Sequence, residues 1–223
     1  MTYSFIRRFG KDYQRIREPG LENKFHIVSD IAVVKPLNYQ RDSWGSNEFL
    51  VDAATWDKLP WSGWSVNKNG YVTCVGVQLH QVVAYFNGIV PPWGDVIDHK
   101  NRNRLDNRVQ NLRVATVIQN GWNSEKKHGH QLKNGKWKFT FQKSFPTTAD
   151  AEEGLRSGEF QYMNKNRTCF VHETFDTYEE GRQWWMFKAG AHYGEFSPFA
   201  NPWQSCDEIV KEASESSTPQ QPS

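Results

Sequence analysis

Between residues 95 and 120 the chain reads as a short strand, a long polar loop, a second short strand and a capped helix. Asp95-Val96-Ile97-Asp98-His99 is a brief strand carrying two polar residues at its end. Residues 100–110 are rich in asparagine and arginine and show no apolar period, as expected of a loop. Leu112-Arg113-Val114-Ala115 is the second strand. Thr116 and Gln119 stand at capping-box spacing, where a hydroxyl and an amide each satisfy a free N–H at a helix start. Asn120 falls in the first turn of that helix, with Asn123 on the same face. Two strands closed over a long loop bring the following helix back to the strand end, and so place Asn120 opposite Asp98. Neighbours on a strand point to opposite faces, so a twist where the loop begins is needed to bring Asp98 and His99 together.

Charge concentrates on the same stretch. Residues 96–143 hold eleven Lys/Arg against three acids, a net +8, while the rest of the chain is −6. Basic residues interleaved with Trp122, Trp137, Phe139 and Phe141 suit a polyphosphate surface. Hydrolysis of a phosphodiester needs a base for water and a cation for the phosphorane and the leaving oxygen. Histidine titrates in the neutral range, and magnesium accepts one carboxylate and one amide oxygen while keeping waters. Asp98, His99, Asn111 and Asn120 are therefore the candidate chemical residues. Lys100, Arg102, Arg104, Arg108 and Arg113 are expected at phosphates.

Other classes are set aside. No apolar run approaches the roughly 20 residues of a membrane span, and residues 1–10 lack a signal-peptide core. Cys74, Cys169 and Cys206 are odd in number and far apart, which fits a reducing compartment and no disulfide framework or zinc ribbon.

Taken in order, Ile97-Asp98-His99-Lys100, Asp106-Asn107-Arg108, Gln110-Asn111-Leu112-Arg113, Thr116 and Gln119-Asn120 resemble the motif of HNH endonucleases, in particular the homing endonucleases of phages. Leu79-His80-Gln81-Val82-Val83 resembles the helix that commonly precedes that motif. Leu50-Val51-Asp52 with Gly70-Tyr71 resembles its lead-in, so the likeness spans residues 49–125. It implies a ββα-metal fold in which His99 is the general base and Asp98 and Asn120 hold one divalent metal. Asn111 is then structural and pins the long loop to the strand end. The second histidine of the motif is Asn120 here, an amide oxygen that favours Mg2+ or Mn2+ over zinc. The arginine usual after His80 is Gln81, and His80 reads as a core histidine or as a group behind the site.

Elsewhere, residues 26–34 are strand-like, and Asn69-Gly70 between alternating residues signals a hairpin. Leu79, Val82, Val83 and Phe86 mark one face of a short helix ended by Asn87-Gly88. Residues 136–141, 159–163 and 168–173 alternate as three antiparallel strands. Thr177 and Glu180 form a second capping box, for a helix running to about Tyr193 and stopping at Gly194. Alternation puts Trp137, Phe139 and Phe141 on one face, against a helix bearing Trp184, Trp185 and Phe187, and Lys136, Lys138 and Thr140 on the other. Phe175–Arg182 and Ala189–Phe196, followed by Asn201, resemble the helix and exit of an AP2 DNA-binding domain. That resemblance implies a sheet laid on DNA, with Lys136, Lys138, Lys165 and Arg167 as contacts. His128 and His130 read as linker, and Trp61, Trp64 and Trp122 as core.

The expected architecture is α+β in two modules. Residues 1–47 form a segment without an assigned role, 48–130 the HNH module, 131–203 the three-stranded AP2-like sheet and helix, and 204–223 a disordered tail. The expected activity is metal-dependent cleavage of double-stranded DNA by a monomer without organic cofactor, in the cytoplasm of a phage-infected bacterium. A catalytically silent AP2-like DNA-binding protein and a structure-specific or RNA-directed nuclease are the alternatives.

Overall fold

The structure is a computed structural model that describes residues 23–37, 48–59, 63–74, 76–124 and 129–216. The expectations for Trp61, for His128 and for most of residues 1–47 lie outside these. Two compact units divide the chain, one ending at Gly121 and resuming at Pro202, the other spanning Trp122–Asn201.

In the first unit the expected strand over residues 26–34 is a hairpin, β1 (Phe25–Val28) and β2 (Ile31–Val34). Ser29, at φ 57°, and Asp30 turn the chain between them. β2 also pairs with β3 (Phe49–Asp52), which runs into the short helix α1 (Ala53–Trp56). Ala32, Val34, Phe49, Leu50, Val51 and Trp64 are fully buried in one core. Asn23 fastens this sheet to Trp64, accepting from its N–H at 2.7 Å and donating to its carbonyl at 2.9 Å.

The Asn69-Gly70 hairpin joins β4 (Ser65–Val66) to β5 (Val72–Cys74). Asn67 Oδ1 accepts from Asn69 N and Tyr71 N and so shapes its loop. β6 (Val77–Gln78) leads into α2 (Leu79–Phe86), whose Leu79, Val82 and Val83 enter the core as their spacing predicts. β7 (Val96–His99) and β8 (Leu112–Ala115) form an antiparallel pair, with Asp98 opposite Arg113 and His99 opposite Leu112. α3 (Val117–Trp122) follows.

The expected tail returns to this core. α6 (Cys206–Ser216) buries Cys206 and Ile209, and Ser205 caps it with Glu208 at 2.7 and 3.2 Å. A Ser-x-x-Glu capping box with one apolar face therefore replaces disorder over these residues, although their composition is polar.

The second unit has a four-stranded sheet in the order β11 (Tyr162–Met163), β12 (Thr168–Phe175), β10 (Trp137–Ser144) and β9 (Gly129–Gln131). Three strands are those expected. The fourth, β9, includes His130, read from sequence as linker. Gly129 permits it, because a Cβ there would sit 2.5 Å from the Phe139 ring. The acidic stretch between β10 and β11 is a helix, α4 (Thr148–Arg156), capped by Thr147.

α5 (Tyr178–Tyr193) carries the expected capping box, with both Thr177–Glu180 hydrogen bonds formed. Phe139, Phe141 and Trp185 are buried between sheet and helix, and Tyr193 Oη donates to Gln142 O at 2.7 Å. Phe187 corrects the reading of the aromatic helix face, since it is exposed. No helix among the described residues is long and apolar enough to cross a membrane.

Candidate active site

The loop after His99 is held down from three sides. β3 stitches it through Leu50, whose N–H donates to Leu105 O and whose carbonyl accepts from Asn107 N, each at 2.8 Å. Asp52 Oδ2 accepts from Val109 N at 2.7 Å. Asn111 spans its interior, accepting from Asn101 N at 3.0 Å and donating to Asp106 O at 2.8 Å. Lys100 N donates to Asn111 O and closes the loop where the strands meet. Asn103 Nδ2 donates to Gln204 O at 2.8 Å, so the returning segment is the third restraint.

His99 is buried. Its Nε2 lies 3.3 Å from Asn107 Oδ1. The Asn107 Nδ2 group donates to the carbonyls of Leu105 and Arg104, which turns Oδ1 toward the histidine. An amide oxygen only accepts, so Nε2 carries the proton and Nδ1 is the basic nitrogen. His80, on α2, packs edge-to-face on His99 at 4.8 Å, and Tyr71 contacts both rings. Arg104 lies over Tyr71 at 4.5 Å.

Burial pushes the His99 imidazole down to about 4, with Arg104 adding to the fall and the Asn107 contact and Asp106 opposing it. His80 is held well below its ordinary value by burial first and by His99 second. Both rings are therefore neutral near pH 7. Among the described residues the buried His80 Nδ1 has no hydrogen-bond partner.

Asp98 is buried too, but its contacts run across the strand pair. Arg113 donates to its Oδ2 from Nε at 3.0 Å, with Nη2 2.9 Å from the same oxygen. Arg108 is likewise engaged, reaching Asp106 through Nε at 2.8 Å and Nη2 at 3.0 Å. These two arginines, expected at phosphates, are thus internal ion pairs. Lys100 and Arg104 donate to the carbonyls of Gln110 and Asn69. Arg102 is partly buried at φ 64°. In the second unit Lys138 is partly buried and Lys136, Lys165 and Arg167 are exposed, Lys136 pairing with Asp176 at 2.9 Å.

The capping box that opens α3 is formed, with Thr116 N donating to Gln119 Oε1 and Gln119 N to Thr116 Oγ1. Asn120 is exposed on this helix. Strand, pinned loop, strand and capped helix now stand in one order, with a neutral buried histidine at the end of the first strand.

Residues 77–121 match the HNH endonuclease family model. No curated protein and no solved structure matches the chain. The HNH segment runs from β6 through α3 and holds His80, Asp98, His99, Asn107, Asn111 and Asn120; the match supports a nuclease acting on nucleic acid. Asn107, the orienting partner of His99, was missed as a functional residue, although the Asp106-Asn107-Arg108 triplet stood in the motif.

Among the described residues no three His, Cys, Asp or Glu side chains cluster to hold a metal ion. The pair implied by the HNH likeness, a carboxylate and an amide, offers only hard oxygen donors. That chemistry fits a magnesium or manganese ion completed by waters and phosphate oxygens, and it does not fit the nitrogen and sulfur donors of a closed zinc site.

Proposed function

We propose that the chain is a metal-dependent DNA endonuclease of the phage homing type, in which the HNH segment cuts and the AP2-like second unit adds DNA contacts. The observation that carries this reading is the HNH match over a neutral, buried His99 whose ring Asn107 orients. His99 Nδ1 takes a proton from water, which attacks the phosphorus in line. The proton rests on an imidazole whose other nitrogen is held by Asn107. Asp98 and Asn120 would hold Mg2+ or Mn2+, which would supply positive charge to stabilise the phosphorane and the departing oxygen. The leaving 3′ oxygen takes a proton from solvent water, and the ends are 5′-phosphate and 3′-hydroxyl.

Lys100, Arg102 and Arg104 lie in the loop that follows His99 and draw in the phosphate backbone. Lys136, Lys138, Lys165 and Arg167 add phosphate contacts on the second unit. The chain acts as a monomer on double-stranded DNA in the bacterial cytoplasm.

Supercoiled plasmid incubated with protein and magnesium tests this, with EDTA and His99→Ala as controls. Relaxation or linearisation that needs both metal and His99 is the expected result. Parallel duplex, branched DNA and RNA substrates identify the nucleic acid. Salt-sensitive DNA binding without any cleavage would favour a silent DNA-binding protein instead.

A further inference from the structure

Trp93 is 84 % exposed, unusual for an indole. It does not hang on a loose loop. Pro91 and Pro92 precede it, Asp95 N donates to Pro92 O at 3.1 Å, and Gly94 takes φ 92° at the turn position that requires a positive angle. The ring is thus displayed at the tip of a closed turn.

The strand register says which residues follow at the same end of the pair. The last pair of the β7–β8 ladder on this side is Val96 with Ala115. The residues just beyond are the Trp93 turn on one strand and Val117 and Ile118 on the other, which are 66 % and 54 % exposed. The opposite end of the pair is His99 with Leu112, where the loop bearing Lys100 and Arg104 begins. Lys100 reaches the carbonyl of Gln110 and Arg104 that of Asn69. β7 is about 13 Å long at ~3.3 Å per residue, or roughly four nucleotide steps at ~3.4 Å each. A short nucleic-acid segment is therefore long enough to span the two ends of the pair. Cations at one end suit phosphate, and a rigid indole at the other suits the face of a base, which stacks whatever its sequence.

We propose that Trp93 is a stacking finger of the nuclease unit that takes the face of a nucleobase near the scissile phosphate, with Val117 and Ile118 flanking it. The proposal rests on the nuclease reading and adds to it the contact to a base. The base is either unstacked within a duplex or presented by a single strand.

The full chain in EDTA is titrated against labelled duplex, single-stranded DNA and RNA, each also made with 2-aminopurine at successive positions. Trp93→Ala should weaken binding about tenfold, within the range measured for loss of one stacked base, with the salt slope unchanged. Trp93→Phe should recover most of it. 2-Aminopurine fluorescence should change at one position with wild type and stay flat with Trp93→Ala. Identical affinity and fluorescence for wild type and Trp93→Ala would overturn the finger while leaving the nuclease intact. Loss of self-association in Trp93→Ala, with nucleic-acid binding unaltered, would also overturn it and assign the surface to a second copy. A wild-type chain that neither binds nor cuts nucleic acid would remove the nuclease reading and this proposal together. Because Trp93 is so exposed, the variants are expected to fold as wild type, which circular dichroism checks.

Discussion

Arg113 reaches Asp98 with two nitrogens on one carboxylate oxygen, and each of the two side chains is only 6 % exposed. A pair buried in this way is screened little by water. Arg113→Leu removes the guanidinium from a buried carboxylate and should cost about 3–5 kcal/mol, whereas the double change Asp98→Asn with Arg113→Met should regain most of that. Urea unfolding of the three variants measures the difference. A loss below about 1 kcal/mol for Arg113→Leu, the range of exposed pairs, would show the pair to be wet.

The Asn107–His99 contact has a kinetic consequence. His99→Ala should lower the cleavage rate by about 10²–10⁴ with DNA affinity nearly unchanged. Asn107→Ala leaves the base in place but frees its ring, and should cost about ten- to a hundredfold in kcat, the equivalent of one buried hydrogen bond. Single-turnover cleavage together with binding isotherms separates the two effects.

Gly181 offers a test of sign. On helix propensity alone, Gly181→Ala in α5 would stabilise by up to about 1 kcal/mol. The structure puts a Cβ at that position 2.1 Å from the Phe139 ring, so overpacking should instead destabilise by about 1–3 kcal/mol. Thermal melts of Gly181→Ala, and of the same change combined with Phe139→Leu, report which effect wins. The combined variant should recover part of the loss.

Acid should weaken the first unit. His99, at about 4, and His80, also lowered, stay neutral when folded and bind protons near pH 6.5 once unfolded. Between those values the unfolded chain holds more protons, so stability falls as pH drops from about 6.5 to about 4. The fall amounts to about 3 kcal/mol for His99 alone. His80→Phe should flatten this slope in a series of melts across the window.

What could be read from sequence was local. The capping boxes at Thr116–Gln119 and Thr177–Glu180 close within one helical turn, and the Asn69-Gly70 hairpin carries its own turn chemistry. The order of Asp98, His99, Asn111 and Asn120 was equally plain, since the HNH likeness lies in that order. Arg108 and Arg113 were misread because a sequence shows a charge without its partner, and the partner of Arg113 sits on the neighbouring strand. β9 was hidden because the reason for Gly129, the Phe139 ring, lies on another strand. α6 was hidden under a polar composition although Ser205 and Glu208 had capping-box spacing. The grip of β3 on the loop is carried by backbone groups, which no side-chain pattern announces.

The segment that packs α6 into the first core comes after the whole of Trp122–Asn201. A ribosome adding about 5–20 residues per second delivers the second unit complete roughly a second ahead of Cys206 and Ile209. Until those residues emerge, the first unit lacks part of its core, and Asn103 lacks the carbonyl of Gln204 that anchors the loop beyond His99. Translation order thus makes the unit with the HNH segment the later of the two to mature, and a nascent chain holds its second unit before the loop beyond His99 is anchored.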